Sequence, residues 1–321
     1  MTISVVIPAL DEAENIAGAI GSVVAGVPSA AGAAGGARAH SPAPSEPSLQ
    51  SGPERAPHPS SAGPHPTESR STAEVAPAIE ICVVDGGSRD ATVARAREAG
   101  RSAVERSVIE PNVIELSVIE LDPSELDPSE PGVPAQAGGS ARRRRDPGAS
   151  RRAHQLQVGL EATRGEIVIF LHADTRLPGG WVPAVRGALA SPGAVGGAFR
   201  FAFRESGARG LQRISLRLVE LGAQLRSSGL GLPYGDQALF ASRSALVAVG
   251  GVPQVALMED LDLVRALRRS GRMVMLGQSA TTSPRRHLEG GVWRIALRHA
   301  AAAFAWGLGV DRARLARWLG R

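Results

Sequence analysis

Five consecutive apolar residues, Ile167-Val168-Ile169-Phe170-Leu171, constrain this chain more than any other stretch. A run this short, closed by Asp174 and the Pro178-Gly179-Gly180 turn, reads as a buried strand. Thr2 to Ile7 and Ile79 to Val84 have the same character. Helical stripes lie between them. Ile16, Ile20, Val23 and Val24 follow the first strand, Thr92 to Ala99 follow the second, and Leu156 and Leu160 mark a helix over residues 151–163. Strands alternating with amphipathic helices imply a parallel sheet.

The second half continues the alternation. It predicts a helix over 181–189, a strand over 194–203, a helix over 211–225, a strand over 237–242 and a helix over 243–249. A further helix opens at Met258-Glu259-Asp260, a strand covers 273–276, and residues 291–321 form an Arg-rich, mostly helical segment. Local signals predict the ends of the early helices. Asp11 with Glu14 resembles a capping box, Ser88 suits an N-cap, and Gly100 suits a C-cap.

Two segments interrupt this order. Over 29–77, Ser, Pro, Ala, Gly and His dominate and large apolar residues nearly vanish, a composition expected to stay disordered. Over 101–149 lies a second low-complexity insertion. From Ser107 to Pro131 it reads as five-residue units beginning Ser-Val-Ile-Glu-Pro, a period too short for a solenoid. Without these two stretches the spacing is regular, so both are expected as surface-loop insertions in one domain spanning 1–321.

The charge of +5 over 321 residues comes from Arg alone, since the chain contains no Lys. The dense cluster Arg142–Arg145 sits in low-complexity sequence, so nucleic-acid binding, which needs a clustered basic face, is not expected. Cys82 is the only cysteine, which excludes an intrachain disulfide and a cysteine-based zinc site. No apolar run is long enough to span a bilayer and no leader pattern opens the chain, so a cytoplasmic protein is expected.

Chemistry gathers at the strand ends. Asp85 follows the second strand and Asp174 the third, in His172-Ala173-Asp174-Thr175-Arg176-Leu177-Pro178. Carboxyl ends of parallel strands are where α/β proteins bind ligands. A lone carboxylate there suits a hard divalent cation whose other ligands are phosphate and water, and equally suits a turn that it caps itself.

Val5-Val6-Ile7-Pro8-Ala9-Leu10-Asp11-Glu12, Val83-Val84-Asp85-Gly86-Gly87-Ser88-Arg89-Asp90, His172-Ala173-Asp174 and Met258-Glu259-Asp260, in that order, resemble the family 2 glycosyltransferases. That resemblance implies a GT-A fold: a Rossmann-like, mostly parallel sheet flanked by helices, here carrying the two low-complexity insertions. More narrowly, His172–Pro178 and Pro233-Tyr234-Gly235-Asp236-Gln237 resemble a bacterial subgroup found near radical-SAM and selenium-related proteins. Some similar chains are described as carotenoid-acid glucosyltransferases.

The resemblance assigns roles. Asp85 would accept the N–H of the donor's base, with Pro8, Ala9 and Glu12 lining the nucleoside pocket. Arg152 and Ala173 would lie at the donor diphosphate, and Asp174 would bind Mg²⁺ or Mn²⁺. Asp260 would be the base of an inverting transfer, and Asp236 and Gln237 would meet the sugar or the acceptor. The family motif has Asp where this chain has His172, a departure that weakens the expected metal set. The residues alone leave other roles open: a turn cap for Asp85, a solvated first-turn acid for Glu12, an exposed helix Arg for Arg152, a helix cap for Asp260.

The implied partners are a nucleotide-sugar, a UDP-sugar first, and an acceptor hydroxyl or carboxylate, with a lipid or a carotenoid acid among the candidates. Trp293, Trp306 and Trp318 among the C-terminal arginines fit either packing on the domain or a peripheral contact at the inner face of the cell membrane. A nucleotidyltransferase is the rival enzyme, but it calls for a Gly-rich basic segment where Asp11-Glu12-Ala13-Glu14 stands. An inactive nucleotide-sugar or membrane-binding module is the non-enzymatic rival.

Overall fold

The computed structural model describes residues 2–27, 79–109, 114–122, 149–205 and 208–319. The expected disorder of 29–77, and of the second insertion beyond Asp122, lies outside these residues.

The strands β1 (Ile3–Ala9), β2 (Ile79–Asp85), β3 (Ile114–Glu120), β4 (Ile167–Phe170), β5 (Thr175–Arg176), β6 (Ala194–Phe203), β7 (Leu239–Ser242) and β8 (Arg272–Thr282) form one sheet in the order β3-β2-β1-β4-β7-β6-β8-β5. The β3-β2-β1-β4 half is parallel throughout. β7 runs antiparallel to both β4 and β6, while β6 and β8 are again parallel. The sheet is therefore α/β and mostly parallel, as expected, with β7 reversed at its middle and the short β5 reversed at its edge.

Alternating residues of the central strands feed two cores. Ile3, Val5 and Ile7 of β1 and Ile167, Ile169 and Leu171 at β4 face α1 (Ile16–Ala25) and α4 (Trp181–Ala190), where Trp181 is fully buried. Val6, Val168 and Phe170 face α3 (Arg151–Ala162), α6 (Arg243–Ala248) and α7 (Glu259–Ser270). Both faces being covered explains why these strands read as continuous apolar runs rather than alternating ones. Pro8 needs no ladder N–H, because β1 pairs with β4 only as far as Val6.

Several local expectations are corrected. The pentapeptide stretch is not wholly an inserted loop: Ile114–Glu120 is the β3 edge strand, with Ile114, Leu116 and Val118 on the core face. α2 runs Thr92–Ile109, so Gly100 lies inside it rather than at its end. A Cβ on Gly100 would meet Leu116 Cδ2 at 2.7 Å, so this glycine serves the close approach of helix to strand. Ser88 is not an N-cap. It donates to Asp85, while Asp90 accepts the Thr92 N–H at 2.9 Å. The Asp11–Glu14 box does not form; α1 starts later, at Ile16, and Asp11 takes a left-handed φ of 52° and accepts the Arg89 N–H.

α5 (Leu211–Leu225) leads through a wide turn, Arg226–Leu230, to the short helical turn Gly235–Gln237 ahead of β7. α8 (Arg285–Gly290), α9 (Val292–Gly307) and α10 (Arg312–Trp318) end the chain. Trp306 is buried and donates to Asp262 at 3.0 Å, and Arg312 binds the same carboxylate. This part of the segment packs on the domain, while Trp293 and Trp318 stay exposed. Among the described residues no helix is long and apolar enough to cross a membrane.

Candidate active site

The topology brings the ends of β4, β7 and β8 and the start of α7 to one cleft of about 240 Å³. Arg152, His172, Asp174, Asp236 and Asp260 all line it, together with Tyr234, Arg286 and His287. Four of the residues singled out in the sequence thus converge from four separate segments.

Asp260 sits in the first turn of α7 and is firmly held. Its Oδ2 accepts the Gly235 N–H at 2.8 Å and its Oδ1 accepts the Leu261 N–H at 2.9 Å. The N-cap position itself belongs to Met258, so Asp260 is not the helix cap that the sequence left open. Gly235 has no room for a side chain: a Cβ there would meet His172 Nε2 at 2.9 Å and Asp260 Oδ2 at 3.3 Å.

Arg152 is not a free surface arginine. Its guanidinium pairs with Glu259, which is 2% exposed, and stands 3.7 Å from Asp260 Oδ2 and 3.4 Å from His172 Nε2. Burial works against its charge, but Glu259 and Asp260 outweigh that and leave it more basic than an ordinary arginine. It therefore stays cationic and fixes the α7 carboxylates in place.

Asp174 and Asp236 carry the electrostatic tension of the cleft. Burial raises the pKa of Asp174, Arg286 opposes the rise and Glu12 adds to it. Burial also pushes Asp236 up to about 6; Arg226 opposes, while Asp260 and Asp174 reinforce. Asp236 Oδ1 is buried without a hydrogen-bond partner. Two half-buried carboxylates of one cleft that resist ionising, one with an orphaned oxygen, fit a hard divalent cation bound through oxygen. Among the described residues no cluster of three or more His, Cys, Asp or Glu forms a ready-made cage, so most of the coordination would fall to phosphate and water.

Gln237 is corrected from a donor contact to a scaffold. It is fully buried; its amide donates to the Phe199 carbonyl at 3.0 Å and its oxygen accepts from Ser227 Oγ at 2.7 Å and the Tyr234 N–H at 3.0 Å. These bonds lock the turn that presents Asp236. The next residue, Ala238, has φ 46° and Met258 has φ 63°. Both strained positions flank cleft carboxylates, as strain at functional sites often does.

Pro8, Ala9, Glu12 and Asp85 lie at the ends of β1 and β2 and do not line this cleft. Asp85 is buried and accepts the Gly87 and Ser88 N–H groups, each at 2.9 Å, and the Ser88 hydroxyl. Three of roughly four carboxylate acceptor sites are thereby used, leaving one for a further donor. The Ala9 carbonyl already accepts from Gly86 N and Gln155 Nε2. Glu12 is not the solvated acid that was left open. At 4% exposure it binds Asn15 at 2.7 Å, Arg286 at 2.8 Å and Arg285 at 3.4 Å. That clasp ties the β1 end of the sheet to α8 and sets Arg286 beside Asp174.

Arg286, His287, Tyr234 and Arg226 were not singled out from the sequence. Burial and the neighbouring Arg286 lower the pKa of His287, which keeps the ring neutral and able to act as a ligand at pH 7. Ser283-Pro284-Arg285-Arg286-His287 carries two arginines before a histidine at a strand end, the one signal that marked it.

No protein-family model matches the chain, and no curated protein matches it either. Solved structures do match in fold. A mycobacterial protein superposes with a TM-score of 0.50 at 20% identity, over 97% of this chain and 76% of its own. Two others have lower scores. S. aureus TarS gives 0.46 at 12% identity over 92% of this chain, which spans 39% of TarS. Glucosyl-3-phosphoglycerate synthase from Mycobacterium tuberculosis, in complex with Mn²⁺, UDP and glucosyl-3-phosphoglycerate, gives 0.47 at 20% identity over 97% of this chain and 81% of its own.

Proposed function

We propose that this protein is an inverting glycosyltransferase of the family 2 kind, moving a hexose from a nucleotide-sugar to an acceptor hydroxyl or carboxylate. The observation that carries the reading is the single cleft in which Asp174, Asp236 and a rigidly held Asp260 meet Arg152 and Arg286. The likeness of His172–Pro178 and Pro233–Gln237 to the radical-SAM-associated subgroup supports it, as does the occurrence of glycosyltransferases among the fold neighbours.

The donor base hydrogen-bonds to the free acceptor site of Asp85 beside Pro8 and Ala9. Asp174, with Asp236 beside it, would hold Mg²⁺ or Mn²⁺, whose charge would neutralise the leaving diphosphate. Arg286, the one clasp arginine that lines the cleft, faces the same phosphates. Arg152 stands beside Asp260 and helps to aim it. The acceptor oxygen bonds to the anomeric carbon as the sugar–phosphate bond breaks, its electron pair leaving with the nucleoside diphosphate; a hydroxyl acceptor gives its proton to Asp260, while a carboxylate has none to give. A peripheral contact through Trp293 and Trp318 with the inner membrane face belongs to the same reading.

Hydrolysis of a panel of UDP- and GDP-sugars by the purified protein with Mn²⁺ tests it. Turnover of at least one sugar nucleotide is expected. Nucleoside monophosphate transfer in its place would favour the nucleotidyltransferase reading, and inertness towards every donor would favour a binding module.

A further inference from the structure

Beside the cleft lies a second and larger cavity, about 830 Å³, between α5 and α9. Its volume falls in the range of small-molecule sites. Its walls are mainly apolar: Leu218 from α5, Leu261 from α7, and Trp293, Leu297 and Phe304 from α9. Several are left open to solvent, with Leu297 65% and Phe304 70% exposed. Exposed apolar surface gathered in one concave patch marks a binding site more often than chance.

Two features say what fills it. First, the trough is continuous with the catalytic cleft, since Tyr234, Asp236, His287 and His299 line both. Second, its two arginines are committed to ring faces. Arg226 lies 3.3 Å from the Tyr234 ring centroid and Arg265 lies 4.6 Å from that of Trp306. The trough therefore offers mainly hydrocarbon contact along its length, and apart from the two stacked arginines its polar side chains Tyr234, Asp236, His287 and His299 stand where it meets the cleft.

We propose that this trough seats the hydrocarbon chain of the acceptor, so that the acceptor is a long-chain amphiphile bearing its hydroxyl or carboxyl group at one end. The proposal rests on the glycosyl-transfer reading and adds to it the class of acceptor. The chain lies between α5 and α9, and its polar end reaches Asp236 and Asp260. There its oxygen bonds to the anomeric carbon as the sugar–phosphate bond breaks and the nucleoside diphosphate leaves with the electron pair; a hydroxyl end passes its proton to Asp260, and a carboxylate end has none to pass.

Gly222 gives a clean test. It lines the trough, and a Cβ built on it meets nothing within 4 Å, so Gly222→Phe starts a bulky side chain into the groove from an unobstructed Cβ and replaces a helix glycine. Binding of cis-parinaric acid is followed by fluorescence, with displacement by n-alkanols of increasing length, and UDP binding with Mn²⁺ is measured on the same samples. The wild type is expected to bind the probe, to favour longer alkanols, and to lose at least tenfold in affinity on Gly222→Phe with UDP binding unchanged. Unaltered probe affinity in the variant, or no dependence on alkanol length, overturns the proposal. So does a wild-type dimer that binds the probe only after dissociation, which would give the trough to a second copy. UDP binding without chain binding counts against the trough alone; chain binding without UDP binding counts against the transfer reading.

Discussion

Asp260 and Asp236 differ in how they are held, and each makes its own prediction. Asp260 accepts two backbone N–H groups and lies beside Arg152, so its carboxylate has a fixed direction. Asp260→Asn keeps the volume and one of the two backbone acceptors and removes the basicity. Transfer rate is expected to fall by roughly 10²–10⁴ with UDP binding nearly unchanged, measured by single-turnover kinetics and calorimetry. A near-wild-type rate would move the base to Glu259 or Asp236. Asp236 titrates near 6 in the folded chain against 3.8 unfolded. Between those values the unfolded carboxyl has released its proton while the folded one retains it, so stability falls as pH rises from about 4 to 6 and stays lower above. Asp236→Asn lacks that slope. Denaturant unfolding at pH 4 and pH 7, without metal, should show the variant gaining on the wild type by up to about 3 kcal/mol at the higher pH. A constant difference would mean that Asp236 ionises freely.

The elements that were legible in the sequence are those whose partners are apolar and whose period is clean. The strand over 194–203 and the helix over 211–225 match the structure residue for residue, because one alternates around Phe199 and Phe201 and the other carries an amphipathic stripe. β3 was hidden by its own repetition. Within the five-residue units, Ile114, Leu116 and Val118 keep the two-residue alternation of a strand, but the prolines downstream disguise it. The Glu12–Arg286 clasp was illegible for another reason: its partners stand 274 residues apart and neither belongs to a periodic pattern. Gln237 misled because a polar residue beside a candidate carboxylate looks like a ligand, whereas burial gave it four hydrogen-bonding duties inside the scaffold. The α2–β3 packing can be tested directly. Gly100→Leu should destabilise by roughly 1–3 kcal/mol, since Leu116 occupies the space a side chain needs. Gly21→Leu, in α1 with nothing near its Cβ, should not destabilise. Equal melting temperatures for the two variants would show that β3 does not pack as described.

At the scale of the whole molecule, the parallel half-sheet ends in Asp85 after β2 and in Glu12 beyond β1, and Arg286 joins Glu12 to the cleft of Asp174, Asp236 and Asp260. A nucleotide-sugar spanning the two would hold its base at β2 and its diphosphate at the cleft carboxylates, which makes nucleotide affinity depend on metal. Calorimetric titration of UDP into the full chain, with and without Mn²⁺, tests this most directly. One-to-one binding that strengthens at least tenfold with Mn²⁺, and loses that gain in Asp174→Ala while the melting temperature holds, is the predicted result. UDP binding that ignores both Mn²⁺ and Asp174→Ala, or no binding of UDP or GDP under any metal condition, would contradict the account.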